Sequence, residues 1–246
     1  MIGFCTYNMP NAPSKTWGES PPPEQLVLAY ARGVFPMADV DTGRVSWYRP
    51  DPRAVLPLAA ASDGVGAGEP CFRVSRSLRQ RVRSGRFEVT TDLAFERVMR
   101  LCARTGRPEQ GCWLTEGLIR GYLGLHRGGQ AHSVEAWLGE GGQRRLAGGL
   151  YGVHLGGLFA GESMVSLPEA GGTDASKVCL VYLVDTLRRI GARVLDVQFT
   201  SEHLARFGCV EVPADAYERA VASAVMLPCL WPKPGALPEP LLTARG

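Results

Sequence analysis

Three apolar segments, His132 to Trp137, Arg145 to Tyr151 and Leu158 to Met164, follow one another with only Gly-rich turns between them, at Gly139–Gly142 and Gly156-Gly157. Connections this short force neighbouring strands to run antiparallel, so the stretch predicts a meander. Lys177 to Ile190 then reads as a helix, with Val178, Val181, Tyr182 and Leu187 among its apolar positions. It leads directly into Val194-Leu195-Asp196-Val197-Gln198-Phe199, a further strand. A meander, a helix and a returning strand confine the fold to the α+β class, one mixed sheet with helices packed on it.

The flanking sequence divides the chain into three parts. Pro21-Pro22-Pro23-Glu24 opens a short helix, Gln25 to Arg32, which Gly33 ends. Proline in the first turn and glycine just past the last are the expected boundary signals. Val45 to Tyr48 and Ala54 to Leu58 are strand candidates, and the Ala/Gly/Ser-rich stretch Ala59 to Pro70 reads as a linker. We therefore expect a small N-terminal α+β domain at 1–62, a main domain at 63–227 and an irregular Pro-rich tail at 228–246. In the main domain Phe87 to Thr90 reads as a strand, Asp92 as the cap of a helix bearing Phe95 and Val98, and Thr115 as the cap of a second helix whose apolar face is Leu118, Ile119, Tyr122 and Leu125.

Composition narrows the class of function. No apolar run approaches the roughly 18 residues needed to cross a bilayer, and Met1 to Cys5 is followed by polar, Pro-rich sequence in place of a secretory leader. Seven cysteines are scattered singly, without a C-x-x-C pair, which fits a reducing cytoplasm and argues against a zinc site. The four histidines lack metal-ligand spacing and read as structural or surface residues. The net charge is only +3, yet Arg73, Arg76, Arg79, Arg81, Arg83 and Arg86 crowd into Cys71–Phe87. A helix so dense in arginine matches phosphates bidentately, the competing reading being a solvated face. Lys177 opens a helix, where its charge opposes the dipole; a docked phosphate would account for it, and an exposed lysine is the alternative.

The sharpest chemical signal is in the returning strand. By alternation Asp196 and Gln198 share a face of an otherwise apolar segment. Each unpaired polar group there costs roughly 1–3 kcal/mol, so the pair either satisfies a nearby loop or serves a reaction. In the third meander strand, Gly161-Glu162-Ser163-Met164, alternation puts Glu162 on the face of Leu158, Ala160 and Met164. A sheet that brings Glu162 beside Asp196 and Gln198 gathers three polar groups in one cleft.

Five segments in this order resemble the leucyl/phenylalanyl-tRNA–protein transferase family. They are Tyr30-Ala31-Arg32-Gly33-Val34-Phe35-Pro36; Trp47-Tyr48-Arg49-Pro50-Asp51-Pro52-Arg53; Trp113-Leu114-Thr115; His132 to Trp137 with Gly148 to Val153; and Gly161-Glu162-Ser163-Met164 through Asp174-Ala175-Ser176-Lys177 to Asp196-Val197-Gln198. The resemblance implies a GNAT-type acyltransferase sheet that binds the aminoacyl end of tRNA where other members of that fold bind acyl-CoA. It implies transfer of Leu or Phe, with Met as a further substrate, from aminoacyl-tRNA to proteins beginning with Arg or Lys, in the cytoplasm, as a mark for N-degron degradation. No cofactor or metal is implied. Gln198 and Asp196 fall at the reacting centre, Glu162 on the substrate's amino group, and Trp113 and Tyr30 near the terminal adenosine and aminoacyl group. Met164, Phe159 and Ser163 are candidates for the amino-acid pocket, and Lys177, Arg76, Arg79 and Arg83 for tRNA contacts. The acidic surface for a basic acceptor falls to Glu162, Asp196 and Glu135. One departure is Met37, directly after Phe-Pro, where relatives often carry tryptophan; a thioether stacks less well on a base.

The chemistry needs little force. An aminoacyl ester is activated, and a peptide α-amino group with pKa about 7.7–8.0 is freed at pH 7 for about 1 kcal/mol. An amide that fixes the amine's approach suffices, and the chain shows no Ser/His/Asp or Cys/His arrangement. Three alternatives compete: transfer of Arg to acidic N-termini, acyl-CoA-dependent N-acetylation, and a silent RNA-binding module. N-acetyltransferases usually carry Gln/Arg-x-x-Gly-x-Gly/Ala before the helix; here Gly171 to Lys177 takes that place.

Overall fold

Glycine sets how closely the helices approach the meander. A side chain at Gly148 would meet the Ala175 Cβ at 2.7 Å, and one at Gly149 would meet Val98 Cγ2 at 2.8 Å, on the opposite face. The strand carrying both is thus clamped between two helical layers. The computed structural model describes residues 21–39, 42–59, 70–105, 114–139 and 141–242. Most of the expected linker, Trp113, Cys5 and Cys112 fall outside them.

The meander is β5 (Ala131–Leu138), β6 (Arg145–Leu155) and β7 (Leu158–Ser166). Helix α5 (Ala175–Arg189) then crosses over to β8 (Val194–Gln198), which pairs with β7 in parallel. The sheet is completed by β3 (Arg53–Leu56), β4 (Glu88–Thr91), β9 (Val210–Val212) and β10 (Gly235–Ala236), in the order β10-β4-β5-β6-β7-β8-β3-β9. On one face lie α1 (Pro23–Ala31), α3 (Phe95–Thr105), α4 (Glu116–Arg127) and a hairpin of β1 (Phe35–Ala38) and β2 (Val45–Tyr48). On the other lie α5 and α2 (Arg76–Arg83). Two helices end the set: α6 (Glu202–Ala205), after β8, and α7 (Ala214–Ala224), whose Tyr217 and Val221 pack on Leu158 and Val194. Among the described residues no helix is long and apolar enough to cross a membrane.

The described segments before residue 59 and after residue 228 are more deeply woven into the fold than composition implies. The strand β3 pairs with β8 and β9, and α1 buries Leu26, Ala29 and Tyr30 in the same core as Leu118 and Tyr122 of α4. The Pro-rich stretch after 228, expected to be irregular, adds β10 to the edge of β4 and stacks Trp231 on His132, with ring centroids 4.4 Å apart. Proline suits an edge strand because no ladder partner is lost there.

The caps divide similarly. Thr115 accepts the Leu118 N–H as expected. Asp92 does not cap α3: it sits at φ +58°, and its carboxylate takes the Ser133 N–H and the His132 ring. The α3 entry is served instead by buried Glu135, which accepts the Ala94 N–H and the hydroxyls of Thr90 and Ser133. Glu135 therefore offers no acidic surface to an acceptor.

Candidate active site

The register of β7 against β8 runs Leu158↔Val194, Phe159↔Leu195, Ala160↔Asp196 and then stops. Beyond it Gly161–Met164 and Val197-Gln198 line the two sides of a cavity of about 130 Å³. Its remaining wall is apolar, from Leu150, Leu180, Leu183, Leu195 and Leu204, with Tyr151. An apolar cavity of ~150 Å³ accepts a benzene ring, so this one has the scale of a single large hydrophobic side chain.

A bulge aims Glu162. On the β6 side Gly152 faces Gly161 and Tyr151 faces Ser163, so Glu162 is the extra residue of β7. Simple alternation would set Met164 beside Ala160; the inserted residue instead sends Met164 to the α5 core while Ala160 and Val165 stay in the core of α3 and α4. Glu162 turns toward α1 and α4. Tyr30 Oη donates to Glu162 Oε1 at 2.6 Å, Tyr122 Oη donates to Oε2 at 2.9 Å, and the two phenols lie 2.7 Å apart. Burial raises Glu162 to about 7, with Asp196 adding to the rise and the phenols and Arg53 opposing it. Burial and the nearby carboxylate hold both phenols well above the ordinary tyrosine value.

Asp196 and Gln198 are both buried but differ in what they face. Asp196 is saturated. Arg53 grips it with a fork, Nε to Oδ1 at 2.8 Å and Nη2 to Oδ2 at 2.6 Å, while Tyr217 Oη and the Gln198 N–H donate at 2.9 Å each. Arg53 is 1% exposed and also donates to the Gly33 carbonyl. Burial works against its charge, yet Asp196 outweighs that and leaves the guanidinium above the usual arginine value. The bond to Asp196 holds Gln198 at φ +56°, a left-handed conformation that ends the strand. Its amide then faces the cavity, with Nε2 3.5 Å from Glu162 Oε1.

The expected cluster of Glu162, Asp196 and Gln198 is thus assembled, with Tyr30, Ser163 and Met164 around it. Phe159 is not part of the cavity: it lies on the α5 face and stacks on Trp231 at 5.4 Å, and Gly152, which has no Cβ, leaves room for its ring. Lys177 bonds Asp174 at 2.7 Å, which answers its charge at the start of α5. Of the arginines on α2, Arg76 and Arg83 are exposed, Arg83 reaching the Leu242 carbonyl, while Arg79 is half-buried and donates to the Val74 carbonyl. Arg53, Tyr122 and Tyr217 escape sequence reasoning. Tyr122 reads as one more apolar position of a helix face, and the signal for Arg53 is the demand of a buried carboxylate for a cation. Asp92, His126 and His132 bring three potential ligand atoms within 4.8 Å. Each is already engaged by a hydrogen bond, His132 with Asp92 and His126 with the Ala131 carbonyl, and the three read as a polar cluster.

Comparison with known proteins gives the family. Residues 69–222 match the family described as leucyl/phenylalanyl-tRNA protein transferase, and residues 20–51 match the N-terminal domain of the same family. Similar proteins named leucyl/phenylalanyl-tRNA–protein transferase include one from Rubrobacter xylanophilus, 50% identical over 205 residues that span 83% of this chain and 95% of the relative. Another, from Salinibacter ruber, is 47% identical over 211 residues, 85% of this chain and 83% of the relative. A third, from Gloeobacter violaceus, is 45% identical over 208 residues, 84% and 95% of the two chains. These matches make the chain an aminoacyltransferase. It belongs to the leucyl/phenylalanyl-tRNA–protein transferase family.

Proposed function

We propose that this enzyme transfers Leu, Phe or Met from aminoacyl-tRNA to the α-amino group of proteins that begin with Arg or Lys. The observation that carries this reading is the apolar cavity of about 130 Å³ with Glu162 and Gln198 at its polar rim. Its size suits one unbranched-at-Cβ side chain, and each methylene discriminates by about 1–3 kcal/mol. Gln198 accepts a hydrogen bond from the attacking amine, Asp196 fixes Gln198, and Glu162 meets the substrate's amino group; Trp113 and Tyr30 serve the terminal adenosine and aminoacyl group. The separation of β7 from β8 supports a GNAT-type sheet in which the aminoacyl end takes the acyl-CoA position. Arg76, Arg79, Arg83 and Lys177 contact tRNA phosphates. The reaction belongs to the cytoplasm, where charged tRNA is found, and marks its products as N-degrons.

The test incubates the protein with radiolabelled Leu-, Phe-, Met- or Arg-tRNA, or labelled acetyl-CoA, and peptides starting with Arg, Lys, Asp or Glu. Label passing from Leu- or Phe-tRNA to Arg and Lys peptides is the expected result. Transfer from Arg-tRNA or acetyl-CoA instead would reassign the enzyme, and no transfer from any charged tRNA would sink the reading. Full activity in Gln198→Ala would remove that residue from the reaction.

A further inference from the structure

Every proton on the Tyr30–Tyr122–Glu162 triangle can be counted. Its three oxygen–oxygen contacts, 2.6, 2.9 and 2.7 Å, are each of a length that requires a hydrogen between the atoms. The two phenols supply two hydrogens. An ionised Glu162 therefore leaves one contact bare, whereas a neutral Glu162 contributes the third and closes the ring. The ionised form still keeps a donated bond on each oxygen, so the triangle tolerates both states. The other groups facing Glu162 also divide. Arg53 from β3 favours the carboxylate, Asp196 from β8 opposes it, and Gln198 brings a neutral amide 3.5 Å from Oε1.

Asp196 has no such freedom. Both of its oxygens accept two hydrogen bonds, and its partner Arg53 stays charged. A carboxylate so occupied has no acceptor position left for an amine, and an amide such as Gln198 has no basicity to offer. Among the described residues of the cavity wall, Glu162 alone can gain and lose a proton at little cost.

We propose that Glu162 carries the proton during transfer, accepting it from the attacking amine and returning it to the departing ribose oxygen, while Asp196 acts only as a positioning residue for Gln198. This rests on the transferase reading above. The amine lone pair forms the C–N bond, the ester C–O bond breaks, and the ribose oxygen leaves with its electron pair. The nitrogen's proton passes to the Glu162 carboxylate and from there to that oxygen, so a hydroxyl and an amide result and Glu162 ends as it began. Burial sets Glu162 to about 7, the range in which a general base is most effective near neutral pH.

The experiment follows kcat/KM against pH with two acceptor peptides whose α-amino groups differ in pKa. One rising limb should move with the amine, and a second, near 7, should stay fixed in the wild type and vanish in Glu162→Gln, with kcat lowered ~10²–10⁴-fold. In parallel, ¹³C NMR of free protein labelled at the Glu carboxyls should show one resonance titrating near neutrality that is missing in Glu162→Gln. A fixed limb that survives in Glu162→Gln, or a Glu162 carboxyl that titrates in the ordinary range, would overturn the shuttle even with transfer intact. Failure of the wild type to transfer at all would overturn the transferase reading instead.

Discussion

Arg53 and Asp196 form an ion pair with side-chain exposures of 1% and 0%, and such pairs are costly to break by halves. Removing one partner of a buried pair strands the other charge, at about 3–5 kcal/mol. Arg53→Ala should lose stability on that scale in urea denaturation, and Arg53→Lys should lose less because it keeps the charge while giving up the fork. Glu162 makes a prediction about pH. Its folded value of about 7 lies above the ordinary 4.5, so below pH 4.5 both folded and unfolded chains hold the proton. Between 4.5 and 7 only the unfolded chain releases it, and stability falls as pH rises through that window before levelling. The decline is on the order of 3 kcal/mol. Glu162→Gln, which has no proton to lose, should show no such decline, measured as the urea midpoint from pH 4 to 8.

At the scale of elements, the site depends on irregularities of two strands. The β7 bulge sits opposite Gly152, where a Cβ would lie 2.3 Å from the Ala160 carbonyl oxygen and 2.5 Å from the Phe159 ring. Gly152→Ala should therefore cost about 2–4 kcal/mol in thermal or urea unfolding, and should lower transfer even in protein that still folds, because Glu162 is re-aimed. These irregularities mark the boundary of what the chain's pattern discloses. The meander, α5 and β8 are legible because strand and helix periods differ and glycine punctuates them; the observed meander strands extend the expected ones by only a few residues, and β8 stops one residue short at Gln198. A one-residue insertion leaves no trace in apolar alternation, so the pattern puts Met164 on the wrong face and hides the Tyr30–Tyr122 clamp. Asp196 and Gln198 stand out as polar residues in an apolar strand. Their different surroundings do not, since the saturation of Asp196 follows from Arg53, which lies far away in sequence and pairs through β3.

Across the whole molecule the C-terminal segment acts as a strap. From β10 on the β4 edge it continues past Glu239, whose carbonyl accepts from Arg189, and Leu241, whose N–H donates to Asp185, to Leu242, which accepts from Arg83. It thus ties the sheet edge to α5 and to the arginine helix α2. Trp231 is its anchor: Nε1 donates to Thr91 Oγ1, and the ring stacks on His132 and Phe159. Covered in this way, His154 is lowered to about 4 from an ordinary 6.5 by burial first and by His132 second. As pH falls from 6.5 toward 4 the unfolded chain takes up a proton that the folded chain refuses, so the fold weakens on acidification. Trp231→Ala should cost about 2–4 kcal/mol at pH 8, from lost ring burial and loss of the bond to Thr91 Oγ1, which keeps only its donation to the Ser133 carbonyl. It should also admit water to His154 and raise its pKa toward the ordinary value. The deficit of the variant relative to wild type is therefore expected to shrink at pH 5, and paired urea titrations at the two pH values measure it. An equal deficit at both would mean that the strap covers His154 without setting its protonation.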